Sequence, residues 1–359
     1  MRALVYAGST LADGPGAVGE GLLRHGYSVA HRRTTLFRGP ADAEPADIVV
    51  VNGLRFNGRY VADAYSDRAV PVLVLDAGFL RREDGYRQLG IGRLNWIPAG
   101  PHPPDRRLKA GFSAAPIAGA DGRRDVVIFG QKSGDAGHGL SDHELLFFYR
   151  RAADGARDAF PGLELVFRPH PMNGGGMPSG LGTCRLSNPN VESLEECLAS
   201  AAAVISHSST AGLKARIAGI PAFCHRDSFY SDAVPTSLPS SDDKETAAAM
   251  QMAAIEVDAF LDRLTYGQWT HEELASGEAI AYYLWRLGLS QAPDGASYAE
   301  FASEAGVATP DAADLLAARE VAQEEAATLE AERKSESIGR KTATKTPKRG
   351  LMRTPGRRV

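Results

Sequence analysis

Three short segments of the sequence carry residue types that bind and transfer anionic groups. In Phe167-Arg168-Pro169-His170-Pro171 a guanidinium and an imidazole stand among prolines. Proline cannot continue a central strand, so the spacing predicts a strand that ends here and a rigid turn that holds both groups at its mouth, where a phosphate could be gripped. In Val204-Ile205-Ser206-His207-Ser208-Ser209-Thr210 an apolar run leads through hydroxyl residues into a helical stretch ending near Ala218. That order predicts Ser208, Ser209 and Thr210 at a helix N-terminus, where unpaired N–H groups and the helix dipole attract phosphate. Simple N-capping would use one hydroxyl and would explain neither the other two nor His207. The third segment, Phe129-Gly130-Gln131-Lys132-Ser133-Gly134-Asp135, predicts a strand running into a flexible loop. There Gln131 and Asp135 would hang at a cleft edge. Asp135 is a candidate general base toward a hydroxyl, and an Asx turn is its structural alternative.

The elements that must position these groups follow from the apolar pattern. Candidate strands are Ala3 to Ala7, Ser28 to His31, Asp47 to Asn52, Pro71 to Leu75, Asp125 to Gly130, Leu163 to Arg168, Ala203 to Ser206 and Pro221 to Cys224. Helical stretches are Gly16 to His25, Ser141 to Ala159, Ser193 to Ala201, Thr210 to Ala218 and, with Thr270 as N-cap, Thr270 to Gly288. Continuous runs such as Ile48-Val49-Val50-Val51 suit parallel strands buried on both faces. The order predicts an α/β fold of two Rossmann-like domains facing a cleft, over residues 1–110 and 120–270, joined by a Pro/Gly/Ala-rich stretch after Pro98. A helix spans 271–290, an acidic Ala/Glu-rich helical segment spans 295–334, and a basic flexible tail spans 335–359. Open sheets of this kind take ligands beyond the C-terminal ends of their strands.

Composition narrows the setting. The chain has 359 residues, 43% hydrophobic and 23% charged, which suits a soluble globular protein with room for two cores. No apolar run approaches the roughly 20 residues that span a bilayer, and Met1 to Gly8 enters a strand without a basic stretch and cleavage site, so neither secretion nor a membrane span is expected. Cys184, Cys197 and Cys224 form no C-x-x-C pair and fit a reducing cytoplasm. From Arg333 onward ten Lys and Arg face a single acid, Glu336, so the chain's net −4 leaves −13 on the preceding residues. Such a tail has too little apolar surface to repay ordering and reads as an arm for a polyanion, with DNA the favoured partner.

Taken together, Gly-Gln-x-x-Gly-Asp at 130–135, Arg-Pro-His-Pro at 168–171, Ser-Ser-Thr at 208–210, Gly-x-Pro at 219–221 and Phe229-Tyr230-Ser231-Asp232 resemble the nucleotide-sugar-binding half of GT-B glycosyltransferases. The resemblance is to capsule-polysaccharide and Kdo-type transferases and related bacteriophage proteins. It implies that Arg168 and His170 contact the donor phosphate, with Gln131, His207, Ser208, Ser209 and Thr210 beside it, and that Asp135 is the catalytic carboxylate, with Asp13 a second candidate. On the acceptor side it points to Asp76-Ala77-Gly78 and to Arg93-Leu94-Asn95. Where many GT-B enzymes carry a ribose-binding Glu, this chain has Lys214, which leaves the nucleotide open and offers a charge to phosphate. The implied donor is a nucleotide sugar, foremost a UDP-sugar, with no tightly bound cofactor and no protein metal site, though a divalent ion on the donor diphosphate stays open. The acceptor expected from the tail is a hydroxymethylated or otherwise modified base in phage DNA, in a host cytoplasm.

Rival readings remain. A capsule or Kdo-type acceptor fits the same motifs, and a non-catalytic DNA-binding protein fits the tail. Gly14-Pro15-Gly16-Ala17-Val18-Gly19 matches G-x-G-x-x-G, and Arg32 and Arg33 would then meet the 2′-phosphate of an NADP-dependent oxidoreductase.

Overall fold

The structure, a computed structural model, describes residues 1–8, 14–55, 57–97, 105–113, 122–135, 137–173, 176–231, 234, 236 and 257–290. Asp13, Asp232, the acidic segment 295–334 and the basic tail 335–359 lie outside the described residues.

Runs of β-branched residues make the strands. β1 (Arg2–Ala7), β2 (Ser28–Arg33), β3 (Ile48–Asn52) and β4 (Val72–Ala77) pair in parallel, β3 and β1 at the centre. β5 (Arg87–Ile91) adds antiparallel to β4. The second sheet is wholly parallel and is built from β6 (Asp125–Phe129), β7 (Glu164–Arg168), β8 (Arg185–Leu186), β9 (Ala201–Ser206) and β10 (Ala222–Cys224), in the order β10-β9-β6-β7-β8. A distant strand, β11 (Gln268–Trp269), returns to pair with β5, so the first sheet has the order β11-β5-β4-β3-β1-β2. Val49, Val50 and Val51 are fully buried because helices cover both faces of the first sheet. Two Rossmann-like halves of an α/β fold result.

The helices are α1 (Gly14–Arg24), α2 (Asn57–Ser66), α3 (Asp105–Ala110), α4 (Asp142–Ala159), α5 (Leu194–Ala199), α6 (Thr210–Ile217), α7 (Val257–Thr265), α8 (His271–Ala275) and α9 (Glu278–Arg286). Ser141, Ser193 and Thr270 each cap a helix through a box with Glu144, Glu196 and Glu273, satisfying end N–H groups reciprocally. Two expectations need correction. The stretch from Thr270 to Gly288 is two helices, because Gly277 takes a left-handed φ of 86° that ends one and starts the next. Part of the stretch after Pro98 is helical, as α3.

The break at Gly277 lets the pair α8 and α9 fold onto α1. Gly21 in α1 lies so close to the Leu274 carbonyl that a Cβ there would collide with it, and Arg24 Nε and His25 Nε2 bond Ala275 O and Gly277 O, each at 2.9 Å. The glycine pattern Gly14–Gly19 lies within α1 itself, and Arg32 is committed to Glu44, with Nε–Oε1 at 2.5 Å. One of the two arginines of the dinucleotide reading is thus engaged within the first half.

Arg106 on α3 ties this arrangement together. Its side chain is 2% exposed, donates to Thr265 O (2.9 Å) and Gln268 O (2.5 Å), pairs with Glu273 (3.0 Å) and Glu278 (3.5 Å), and lies 3.6 Å from the Trp269 ring centroid. Burial alone would raise the Glu273 pKa, but the Arg106 charge overrides it and holds the carboxyl below its usual range. Arg106→Leu removes the buried countercharge of Glu273, which keeps the Thr270 N–H, and takes the guanidinium donor from the Thr265 and Gln268 carbonyls. It is expected to lower the unfolding free energy by about 3–5 kcal/mol, read from urea midpoints at pH 7; a loss under about 1 kcal/mol would mean that packing alone holds the junction.

Candidate active site

The C-terminal ends of the parallel strands in both sheets open onto one cavity of about 900 Å³. From the first half it is lined by Gly8 after β1, Thr34 after β2, Asn52 and Arg55 at and after β3, and Asp76 and Gly78 at the end of β4. The second half contributes Gln131, Lys132 and Asp135 after β6, His170 after β7, and Ser208, Ser209 and Thr210 after β9. A smaller compartment of about 670 Å³ adjoins it and shares Leu94, Asn95, Gly137, His138 and Phe229.

His170 is the first side chain beyond β7 that faces the cavity. Its Nδ1 accepts from Met172 N at 3.1 Å, which puts the ring proton on Nε2 and makes that atom a donor. Burial, reinforced by Lys132, lowers its pKa, with Asp135 opposing. At neutral pH the imidazole therefore acts through its N–H dipole rather than a charge. Arg168 departs from expectation. It is the last residue of β7, on the same face of the sheet as Val166. There it donates to Ser187 Oγ (2.7 Å) and Glu192 O (2.8 Å) and lines neither compartment.

At the start of α6, Ser209 is the N-cap, its Oγ accepting from Ala211 N at 3.2 Å, while Thr210 is exposed to the cavity. Gln131 reaches across from β6. With its amide carbonyl turned toward the helix it accepts from Ser208 N (3.3 Å) and Ser209 N (2.9 Å), and its backbone N–H donates to Tyr149 Oη at 2.6 Å. Gln131 thus fills the acceptor position at the helix end that a phosphate oxygen would take. Tyr230, fully buried, bonds Ser206 Oγ (2.8 Å) and Ser209 O (2.9 Å) and so fixes the turn from beneath. Gly212 permits this approach, since a Cβ there would run into both hydroxyls.

Two carboxylates face this wall. Asp135 Oδ1 accepts from Gly137 N (2.8 Å), and its Oδ2 lies 3.4 Å from Arg55 Nη2 across the cleft. Both partners of that pair are exposed, so it contributes about 0–1 kcal/mol and does not lock the halves. Asp76 Oδ1 accepts from the Ala77 N–H at 2.7 Å, and Oδ2 has no partner among the described residues.

The remaining expected residues divide. Gly78 is hemmed in by Tyr86 O and the Gln268 amide, Asn95 holds a left-handed φ of 54° between the compartments, and Arg93 lines the smaller one. Lys214, a turn into α6, lines neither. His207 also lines neither. It is 4% exposed, stacked on His225 at 4.4 Å and 14°, against Phe148 and His138, and its Nδ1 has no partner among the described residues. Sequence reasoning missed Asn52, Arg55 and His138, although the strand-end rule applied to β3 would have flagged the first two. Among the described residues no group of three or more His, Cys, Asp or Glu could hold a metal ion, and no helix is long and apolar enough to cross a membrane.

No protein-family model matches the sequence, and no curated protein matches it. Solved structures similar to this chain include "Thermosulfurimonas dismutans KpsC, beta Kdo 2,4 transferase", at 18% identity over 72% of this chain and 90% of that one, TM-score 0.44. Others are the glycosyltransferase SnogD from Streptomyces nogalater (16% identity, 77% and 98% coverage, TM-score 0.31) and the S. aureus MnaA-UDP co-structure (10%, 80% and 97%, TM-score 0.31). At these identities and TM-scores the function has to be argued from the chain's own residues.

His207 makes a pH test possible. Burial, then His225 and His138, push its pKa down to about 4, with Asp227 opposing. The unfolded chain, with an ordinary histidine, binds more protons between that value and about 6.5. Stability from this group is full above pH 6.5 and falls as the pH drops toward 4, by on the order of 2–3 kcal/mol. His207→Phe should flatten the pH dependence of the urea midpoint in that window, and an unchanged slope would place the titration elsewhere.

Proposed function

We propose that the protein transfers a glycosyl group from a nucleotide sugar, foremost a UDP-sugar, to an acceptor hydroxyl. The observation that carries this reading is the convergence of the His170 Nε2–H donor and the α6 N-terminus on one cavity whose opposite wall holds Asp76. A diphosphate suits the first two groups, because backbone N–H donors and the helix dipole stabilise the charge that builds on it as it leaves. Gln131 withdraws its amide oxygen from Ser208 and Ser209 as the phosphate takes its place.

In the proposed step the acceptor oxygen attacks the anomeric carbon. The bond from that carbon to the phosphate oxygen breaks, its electron pair leaves with the nucleoside diphosphate, and the acceptor proton passes to a carboxylate. Asp135 is that carboxylate in the reading carried from the sequence. Asp76 is the second candidate, favoured by its open Oδ2, whereas the anion of Asp135 is already served by Arg55 and Gly137. The basic tail supports a modified base in DNA as the acceptor. A surface-polysaccharide acceptor of the capsule or Kdo type is the alternative, which the same catalytic cavity would serve.

Steady-state transfer tests both assignments, with the donor first chosen by thermal-shift screening of nucleotide sugars. His170→Ala should lower kcat about 10²-fold or more, the size expected for one charge-stabilising donor. Of Asp76→Asn and Asp135→Asn, the base variant should lower kcat by about 10²–10⁴ with donor affinity retained. If both carboxamide variants and His170→Ala turn over like the parent, this cavity is not where sugar is transferred.

A further inference from the structure

The smaller compartment carries a charge pattern that the donor does not explain. Arg59, Arg93 and Arg226 all line it, and Asp227 is the one acid among its lining residues. Arg226 and Asp227 are 82% and 70% exposed at 3.8 Å, a separation and exposure at which the pair is weak. Arg59 and Arg93 have no acidic partner among the described residues. Three like charges are thus held around one hollow in a body whose first 290 residues sum to −4.

One of these arginines stands where local structure would not choose a cation, and a second is held on a rigid turn. Arg59 is in the first turn of α2, at the positive end of the helix dipole, where a basic side chain is disfavoured and an anion is drawn in. Arg93 is carried on a turn pinned by left-handed residues on either side, Gly92 at φ 69° and Asn95 at φ 54°, with Asn95 N bonded to Gln88 Oε1 at 2.7 Å. Local preference given up on a rigid frame is what a ligand-binding group looks like. Guanidinium forks match phosphate oxygens in a bidentate way, and all three cations are arginine.

We propose that this compartment binds a phosphodiester of a polynucleotide acceptor through Arg59, Arg93 and Arg226. The inference rests on the sugar-transfer reading of the larger cavity only in calling the polynucleotide an acceptor. The compartments meet at Asn95, Gly137 and Phe229, so a strand held by its phosphate in the smaller one presents its neighbouring nucleotide toward Asp76 and Asp135. Phe229, already stacked on Phe79 at 4.6 Å and 23°, lies on the shared wall as an aromatic surface for a base. A polynucleotide is favoured over an acidic glycan because the same chain carries a surplus of nine positive charges beyond residue 332.

The test uses the full chain and a labelled 12-nucleotide single strand, with binding read by fluorescence anisotropy across a salt series. Arg59→Gln with Arg93→Gln should weaken binding about tenfold or more and reduce the salt slope by about 0.7 for each phosphate no longer neutralised, while the thermal shift produced by UDP stays as in the parent. An unchanged affinity and slope would assign the strand to the tail and overturn the proposal. So would tighter, arginine-dependent binding of polysialic acid, a carboxylate polymer, at the same salt. If UDP gives no shift in any variant while the strand still depends on Arg59 and Arg93, the sugar-transfer reading fails and the polynucleotide subsite stands.

Discussion

A guanidinium taken out of water has to be satisfied on every side, and Arg106 can meet that demand only if the two halves and the C-terminal helices stand where they do. It takes carbonyls from the end of α7 and from β11, carboxylates from α8 and α9, and the face of Trp269. Gln268, whose carbonyl it holds, in turn accepts from Phe79 N (2.6 Å) and Leu80 N (3.2 Å) through its side chain. Phe79 stacks on Phe229, which lines the cleft from the second half. A continuous line of contacts therefore runs from a buried charge to the wall of the cavity. The weak pair between Arg55 and Asp135 could not set the cleft in this way.

Within that frame, chain direction decides the chemistry. Parallel strands in both sheets deliver their C-terminal loops to the same crevice, so backbone N–H groups, an imidazole and carboxylates meet without any one segment having to supply them all. The lining also reverses the sign of the body. Arg55, Arg82 and Lys132 line the larger compartment with Asp76 and Asp135, and three arginines line the smaller one with Asp227, in a body whose first 290 residues carry 29 Lys and Arg against 33 Asp and Glu. Field lines from such a lined hollow attract anions.

Much of the fold was legible because buried parallel strands write themselves as unbroken apolar runs. Ile48 to Val51 and Val72 to Leu75 needed no alternation to be read. β5 was missed because Arg87-Gln88-Leu89-Gly90-Ile91 mixes charge and glycine, as an antiparallel strand near an edge can, and β11 is two residues long with its partner far away in sequence. The helix expected from Thr270 to Gly288 broke at Gly277, where a contact with α1 outweighed local periodicity. The site was half legible for a related reason. Segment ends can be read from proline and hydroxyl patterns, and these placed His170 and Ser208 to Thr210 at the cavity. What a side chain meets at the end of its strand depends on the elements packed beside it. Arg168, two residues before His170, went to Ser187 and Glu192, and His207 went into an aromatic stack behind the wall. Arg59, Arg55 and Arg226 had no motif to mark them, and only the folded cleft collects them.

The most direct test of the account is calorimetric titration of UDP against uridine on the full chain, with His170→Ala alongside. Recognition centred on the diphosphate predicts that UDP binds, that uridine binds at least a hundredfold more weakly, and that His170→Ala narrows the gap by weakening UDP alone. Equal affinities for the two ligands, or a gap untouched by His170→Ala, would contradict it.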